Sequence, residues 1–157
     1  MPERLVSWME SSLLASKGVR RRQDLASFLQ NAGLTGSAVE VGVWRGDFSF
    51  WFFQEWRGKQ LYLVDPWQVV PNYNDIRNDH FDFEDYNYVK SRFCPHLMSG
   101  SVKLCRALSS DAVKVVPNDL DFVYIDANHA YEFVLSDLHT WWGKIRPGRH
   151  SCRARYL

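Results

Sequence analysis

The sequence carries almost no net charge, because its 19 basic and 18 acidic side chains leave +1 at pH 7. This balance argues against a protein that binds nucleic acid or acidic substrates through a strongly charged surface, so we expect no nucleic-acid partner. Cysteine is also scarce: Cys94, Cys105 and Cys152 are an odd number without the paired spacing of a metal site. We therefore expect reduced thiols in a cytoplasmic protein.

Long apolar runs, internal repeats and low-complexity linkers are absent as well. Residues 1–18 include Glu3 and Glu10 and contain no apolar run of the length that a signal peptide or a membrane helix needs. We therefore expect no membrane partner. With 157 residues, of which 46% are hydrophobic, the chain is predicted to form one domain with a packed core.

Short apolar strands alternate with helical segments through most of the chain. Strands are predicted at residues 37–43, 60–67, 101–107 and 120–126, and helices at 3–17, 22–32, 47–56, 84–97, 109–116 and 129–145. Strands that are apolar almost throughout are typical of a parallel sheet buried on both faces. The alternation predicts an α/β fold with a doubly wound, mainly parallel sheet. The single domain, residues 1–157, divides into a helical extension (1–33), a core (34–148) and an atypical tail (149–157).

The stretch "AVEVGVWRGDFS", residues 38–49, is the most informative in the sequence. A predicted strand delivers Glu40, and Gly42 and Gly46 follow before a predicted helix. Glycines at these positions permit a tight turn and a close approach of the backbone to a ligand at the helix N-terminus. Their spacing lacks the G-x-G start of a dinucleotide fingerprint, which disfavours a nicotinamide-dependent oxidoreductase. A purely structural turn is the alternative.

A second candidate residue, Asp65, ends the next predicted strand about 20 residues later. The carboxyl ends of parallel strands meet at one edge of a sheet, where the Asp65 carboxylate could accept hydrogen bonds from two ribose hydroxyls. The alternative is a residue that only forms the turn before Pro66.

Together with "LYLVDPW" and "LDFVYIDANHAYEFVLSDLHTWWGKIRPG", this stretch resembles the class I S-adenosylmethionine-dependent methyltransferases. More narrowly, residues 36–148 resemble the methyltransferase-24 group, which is related to catechol and sugar O-methyltransferases. The resemblance implies a seven-stranded Rossmann-like sheet, S-adenosylmethionine as cofactor, and a sugar or other small hydroxyl compound as acceptor. It also implies cofactor contacts: Glu40, Gly42 and Gly46 beside the methionine part, Asp65 on the ribose, and Leu108 and Ser109 beside the adenine.

Two candidate catalytic residues lie at the carboxyl end of the fourth predicted strand and just beyond it. In relatives with a bound divalent cation, the carboxylate at the position of Asp126 is a metal ligand, so the resemblance implies a cation such as magnesium at this position. A metal there could orient a substrate hydroxyl, and His129, at the predicted start of the next helix, could take or relay its proton. The alternative for His129 is a helix-start residue bonded to backbone.

The connection at residues 66–83 and the tail are the least regular parts of the sequence. The connection is longer than most between a strand and a helix, so it is either a surface insertion or a lid. Relatives continue "RPGG" and an apolar strand, whereas this chain has "RPGRHSCRAR", and a single-nucleotide slip in the coding sequence connects the two. We expect residues from Arg149 onward to be out of frame; a diverged natural tail is the alternative.

This interpretation of the tail predicts three consequences. The fourth strand loses its proper neighbour, although residues 149–156 alternate in a way that could still form a crude edge strand. Any metal site at Asp126 is incomplete, and the open edge favours a homo-oligomer. Two functions remain open: an O-methyltransferase, and a non-catalytic, truncated fragment that retains part of the cofactor pocket.

Overall fold

A computed structural model describes residues 19, 21–71, 73 and 83–147, together with the backbone of residues 152–154. The predicted helix at 3–17 and most of the connection at 66–83 lie outside these residues, as does most of the tail. The helices of the described part, numbered in chain order, are α1 (Leu25–Asn31), α2 (Asp47–Glu55), α3 (Phe83–Arg92), α4 (Cys94–Ser99), α5 (Ser109–Val115) and α6 (Tyr131–Trp142). None of them is long and apolar enough to cross a membrane.

The centre of the fold is a parallel sheet. Its strands are β1 (Ser37–Val41), β2 (Gln60–Asp65), β3 (Val102–Arg106), β4 (Phe122–Ile125) and β5 (Cys152–Ala154). Their order across the sheet is β3-β2-β1-β4-β5, and every neighbouring pair is parallel. The predicted doubly wound α/β fold is therefore confirmed. The resemblance implied seven strands, of which the described residues contain five.

Both faces of the sheet are buried, as the near-continuous apolar strands predict. Side chains alternate between the faces, so that Leu63 and Phe122 pack with α1, α2 and α3, whereas Val39 and Ile125 pack with α5 and α6. Glu40 follows Ala38 by two residues and therefore points toward α2. This alternation is what delivers a carboxyl group to the interior between β1 and α2.

Three of the predicted helices differ from the structure in how they begin or divide. The helix predicted at 84–97 divides into α3 and α4 at Phe93, because Pro95 has no amide to continue the helical hydrogen bonds. The helix predicted at 22–32 begins as a 3₁₀ turn, Arg22–Asp24, before α1. The helix predicted to start at His129 starts instead at Tyr131.

The edge of β4 also differs from the expectation. Residues 152–154 run parallel to β4 and pair with Val123–Ile125, so the predicted unpaired edge is wrong over these residues. The weaker expectation, that the tail could form an edge strand, is confirmed. The pairing places β5 at the outer edge of the sheet, beyond the strand that precedes Asp126.

Candidate functional site

A crevice of about 280 Å³ opens at the carboxyl ends of β1, β2 and β4. The chain leaves β1 toward β2 on one side and later returns to β4 on the other, and such a switch point is where open α/β sheets bind ligands. Six of the eight predicted site residues line the crevice: Glu40, Gly42, Asp65, Leu108, Ser109 and Asp126. Gly46 and His129 are not among its lining residues.

The two glycines of the β1–α2 turn are required by close packing inside the protein. Gly42 has φ +88°, and a side chain there would meet the backbone of Asp126 and Ala127 at 2.5 Å. Gly46 precedes α2 with φ +68°, and Phe93 lies 3.3 Å from the place of its missing side chain. The structure shows that neighbouring segments of the protein lie close to both glycines. That a ligand also lies close to their backbone remains a prediction.

Glu40 is a buried carboxyl group in the wall of the crevice. Ser49 of α2 donates a hydrogen bond to its Oε2. Burial raises the pKa of Glu40 well above its usual value, although the Ser49 hydrogen bond opposes that shift. The nearby carboxylates of Asp126 and Asp65 raise the pKa of Glu40 further, and the Arg22 guanidinium lowers it.

Asp65 binds the backbone of two turns. The turn at Pro66 was the alternative that the sequence left open, whereas the sequence did not predict the bonds to the β1–α2 turn. Its Oδ2 accepts hydrogen bonds from the amides of Val43 and Trp44, each at 2.8 Å, and its Oδ1 accepts one from the Trp67 amide at 2.7 Å. Burial raises the pKa of Asp65 even though these three amides lower it. The carboxylate thus joins the β1–α2 turn to the end of β2.

Trp44 and Trp67 both adopt left-handed backbone conformations, with φ of +51° and +43°. Such conformations cost about 1–3 kcal/mol in residues other than glycine and persist only where surrounding bonds enforce them. Here Asp65 bonds both amides, and the Trp67 indole Nε1 donates to the Trp44 carbonyl at 2.7 Å. The position of Trp67 directly after the Asp65-Pro66 pair was the only sequence signal for this arrangement.

Ser109 lies at the first position of α5, and its hydroxyl is already bonded within the protein. It donates to Oδ1 of the buried Asp137 at 2.5 Å and accepts from the Trp141 indole at 2.8 Å. Burial raises the pKa of Asp137, and the Ser109 hydrogen bond opposes the shift. The network ties α5 to α6 below the crevice, while the neighbouring Leu108 is partly exposed at its rim.

Asp126 lies one residue beyond β4, as predicted, but His129 does not begin the next helix. His129 lies instead in the turn before α6, which the Asn128 side chain closes by accepting a hydrogen bond from the Ala130 amide. Nε2 of His129 lies 3.9 Å from Oδ1 of Asp126. In the described ranges, no group of three or more His, Cys, Asp and Glu side chains could hold a metal ion.

Arginine side chains lie at the crevice beside the carboxyl groups of Glu40, Asp65 and Asp126, and the sequence did not predict them. Arg22 and Arg45 both line the crevice. The Arg22 guanidinium lies 5.6 Å from the centre of the Phe48 ring, and Arg45 pairs with Asp85 of α3 at 3.6 Å. The lining therefore combines the carboxyl groups of the strand ends with guanidinium groups from the flanking segments.

Comparison with known proteins gives a family and a fold. The model of the methyltransferase-24 family, described as a methyltransferase domain, matches residues 39–149. An O-methyltransferase from Bacillus cereus, solved in complex with SAH, is similar with a TM-score of 0.60 and 15% identity, covering 82% of this chain and 52% of that chain. An rRNA methylase from Streptococcus thermophilus is similar with a TM-score of 0.57 and 10% identity, covering 83% of this chain and 69% of that one. At these identities the structural likeness shows the fold alone.

A third solved structure, a precorrin 8w decarboxylase from Methanobacterium thermoautotrophicum, has a TM-score of 0.51 and 17% identity, covering 78% of this chain and 56% of that chain. No curated protein matches the sequence. The chain spans about half the length of the Bacillus cereus structure, since it covers 52% of it. Arg22 lies outside the stretch that the family model matches.

Proposed function

The chain belongs to the methyltransferase-24 family of methyltransferase domains, and on that premise we propose that its crevice binds S-adenosylmethionine for methyl transfer. One observation carries the proposal: Glu40, Asp65 and Asp126, at the ends of three adjacent strands, line a single crevice. The crevice volume of about 280 Å³ is near the lower limit for small-molecule sites, which begin at roughly 300 Å³.

The charges in the crevice fit this cofactor. S-Adenosylmethionine carries a sulfonium cation and an ammonium group, and the carboxyl groups of Glu40 and Asp126 complement positive charge. It also carries a carboxylate, for which Arg22 and Arg45 provide guanidinium groups. Burial raises the pKa of Glu40. A cation bound beside Glu40 would favour the charged carboxylate and so lower that pKa again.

Asp65 can accept a hydrogen bond from the ribose of the cofactor in addition to those from the two turns. A carboxylate offers about four acceptor positions, and three are occupied by the amides of Val43, Trp44 and Trp67. One position remains for a ribose hydroxyl, rather than the two hydroxyls that the sequence predicted. Leu108 at the rim is an apolar surface for the adenine, and Ser109 supports that rim through its bonds to Asp137 and Trp141.

For the acceptor we propose a sugar or another small hydroxyl compound. The cofactor supplies an electrophilic methyl group, and the protein's contribution is mainly to position the acceptor oxygen and to receive its proton. Asp126 lines the crevice and is the proposed proton acceptor, with His129 at 3.9 Å as the group to which the proton can pass. The part of the chain that the structure describes assembles no group of three or more His, Cys, Asp and Glu side chains for the divalent cation that the resemblance implied.

The alternative function is a cofactor-binding domain without turnover. Transfer of a labelled methyl group from S-adenosylmethionine to a panel of sugars and small hydroxyl compounds separates the two functions. Methyl transfer that is lost in the Asp126→Asn variant supports the enzyme. Cofactor binding without transfer to any of the compounds supports the alternative. Transfer to ribosomal RNA alone would contradict the proposed acceptor.

A further inference from the structure

Trp44 occupies an unusual position for a large aromatic residue. Its backbone has φ +51°, it is 38% exposed, and it lines the crevice between Val43 and Arg45. A glycine would adopt this conformation without strain, and an indole in the core would be buried. The strained residue therefore lies at the surface of the crevice rather than in the packed core.

A closed ring of hydrogen bonds fixes this residue. The Trp44 amide donates to Oδ2 of Asp65 at 2.8 Å, and the Trp44 carbonyl accepts from Nε1 of Trp67 at 2.7 Å. The ring closes because the Trp67 amide donates to Oδ1 of Asp65 at 2.7 Å. Trp67 is only 1% exposed and does not line the crevice, so its indole acts on the crevice through Trp44.

We propose that this ring, the Trp44 clamp (Trp44, Asp65 and Trp67), holds the Trp44 indole as a specificity-determining contact for the ligand of the crevice. The ligand group that suits an indole face is a cation or a planar ring, and the carboxyl groups of Glu40 and Asp126 in the same lining favour a cation. The cation is the ammonium group, which S-adenosylmethionine and S-adenosylhomocysteine share. Trp67 is a positioning residue in this arrangement. The identity of the ligand rests on the proposed function, whereas the clamp itself does not.

The chain offers a matched pair of variants to test the clamp. Trp67→Phe removes the indole N–H that reaches the Trp44 carbonyl, and it keeps an aromatic ring in the core. Trp56→Phe makes the same change far from the crevice, because the Trp56 indole is also 1% exposed and donates to the Leu34 carbonyl at 2.7 Å. Both variants lose one buried hydrogen bond to a backbone carbonyl, so we expect similar losses of stability.

Two readouts then separate positioning from stability. Calorimetry with S-adenosylhomocysteine should show affinity reduced roughly three- to tenfold in Trp67→Phe, the equivalent of one hydrogen bond, and unchanged in Trp56→Phe. Fluorine NMR of protein labelled with fluorotryptophan, with the Trp44 resonance assigned from Trp44→Phe, should show that resonance shifted or broadened in Trp67→Phe only. Wild-type affinity and an unmoved resonance in Trp67→Phe would overturn the proposal.

A second variant covers the case in which Trp67→Phe does not fold. Trp44→Gly keeps the backbone hydrogen bonds, relieves the left-handed strain and removes the indole. We expect stability at or above that of the wild type together with weaker S-adenosylhomocysteine binding; unchanged affinity would overturn the role of the indole. If the wild type does not bind S-adenosylhomocysteine, the proposed function fails, and the fluorine resonance still tests the clamp.

Discussion

The hydroxyl of Ser49 donates a hydrogen bond to the carboxyl group of Glu40 inside the wall between β1 and α2. This hydrogen bond opposes the effect of burial, which raises the pKa of Glu40 well above its ordinary value of 4.5. Burial also raises the pKa of Asp65 and Asp137 above 3.8. At a pH between the ordinary and the raised values, these carboxyl groups therefore keep protons in the folded protein that the unfolded chain has already released.

Stability should consequently fall as the pH rises from the ordinary carboxyl values through the raised values of the folded state. In that window the folded state binds more protons than the unfolded state, so the free energy of unfolding decreases with pH. Glu40→Gln keeps an acceptor for Ser49 and removes one of these titrations, so its stability should fall less steeply. Urea unfolding at several pH values measures this, with the exposed Glu55→Gln of α2 as control. A wild-type stability that rises across the window would contradict the prediction.

Gly42→Ala should be strongly destabilising. A side chain at residue 42 meets the backbone of Asp126 and Ala127 at 2.5 Å, and φ +88° adds conformational strain. We expect a loss of about 2–4 kcal/mol from overpacking and strain together. Gly100→Ala is the matched control, since Gly100 has φ +75° and nothing within 4 Å of the added carbon, so it should lose only about 1 kcal/mol. If urea unfolding shows that both variants lose the same stability, the backbone of Gly42 does not pack tightly against that of Asp126 and Ala127.

Ser109→Ala should lower stability more than cofactor affinity. The substitution removes the Ser109 hydroxyl that donates to the buried Asp137 and accepts from the Trp141 indole, at a cost of about 1–3 kcal/mol. The neighbouring Ser110→Ala, at an exposed position of α5, should change little. If instead Ser109→Ala folds as stably as the wild type but binds S-adenosylhomocysteine far more weakly, the hydroxyl serves the adenine directly.

Arg22→Gln should weaken the binding of S-adenosylmethionine but not that of its decarboxylated analogue. Arg22 is exposed, so the loss should be roughly two- to fivefold, the range of a solvent-screened ion pair. Arg21→Gln is the matched control, because Arg21 pairs with Asp24 and does not line the crevice. Equal weakening of both ligands by Arg22→Gln would show that Arg22 does not recognise the carboxylate.

The sequence predicted those features that depend on local pattern. Glu40 and Asp65 follow from their places at the ends of apolar strands, because parallel strands bring their carboxyl ends to one edge. Gly42 was identified because few other residues leave a strand through so tight a turn. These inferences needed no knowledge of which side chains meet across the fold. All three residues line the crevice, and their contact with a ligand stays a prediction.

The remaining features depend on contacts between distant segments. Asp65 was expected to face a ligand, but three backbone amides from two turns occupy most of its acceptor positions. Ser109 lines the crevice, and its predicted place beside the adenine stays a prediction; the sequence did not predict that Asp137, 28 residues away, accepts its hydrogen bond. His129 was placed at a helix start because the Asn128 turn that delays α6 has no periodicity signal. Such pairings are set by the register of packed elements, which periodicity does not encode.

The central claim is that the crevice at the ends of β1, β2 and β4 is built for S-adenosylmethionine. Calorimetric titration of the purified protein with S-adenosylhomocysteine, and separately with NADH, tests it most directly. The account predicts saturable binding of S-adenosylhomocysteine at one site per chain and no binding of NADH, because the glycine turn lacks the dinucleotide spacing. Tight binding of NADH without any binding of S-adenosylhomocysteine would contradict it.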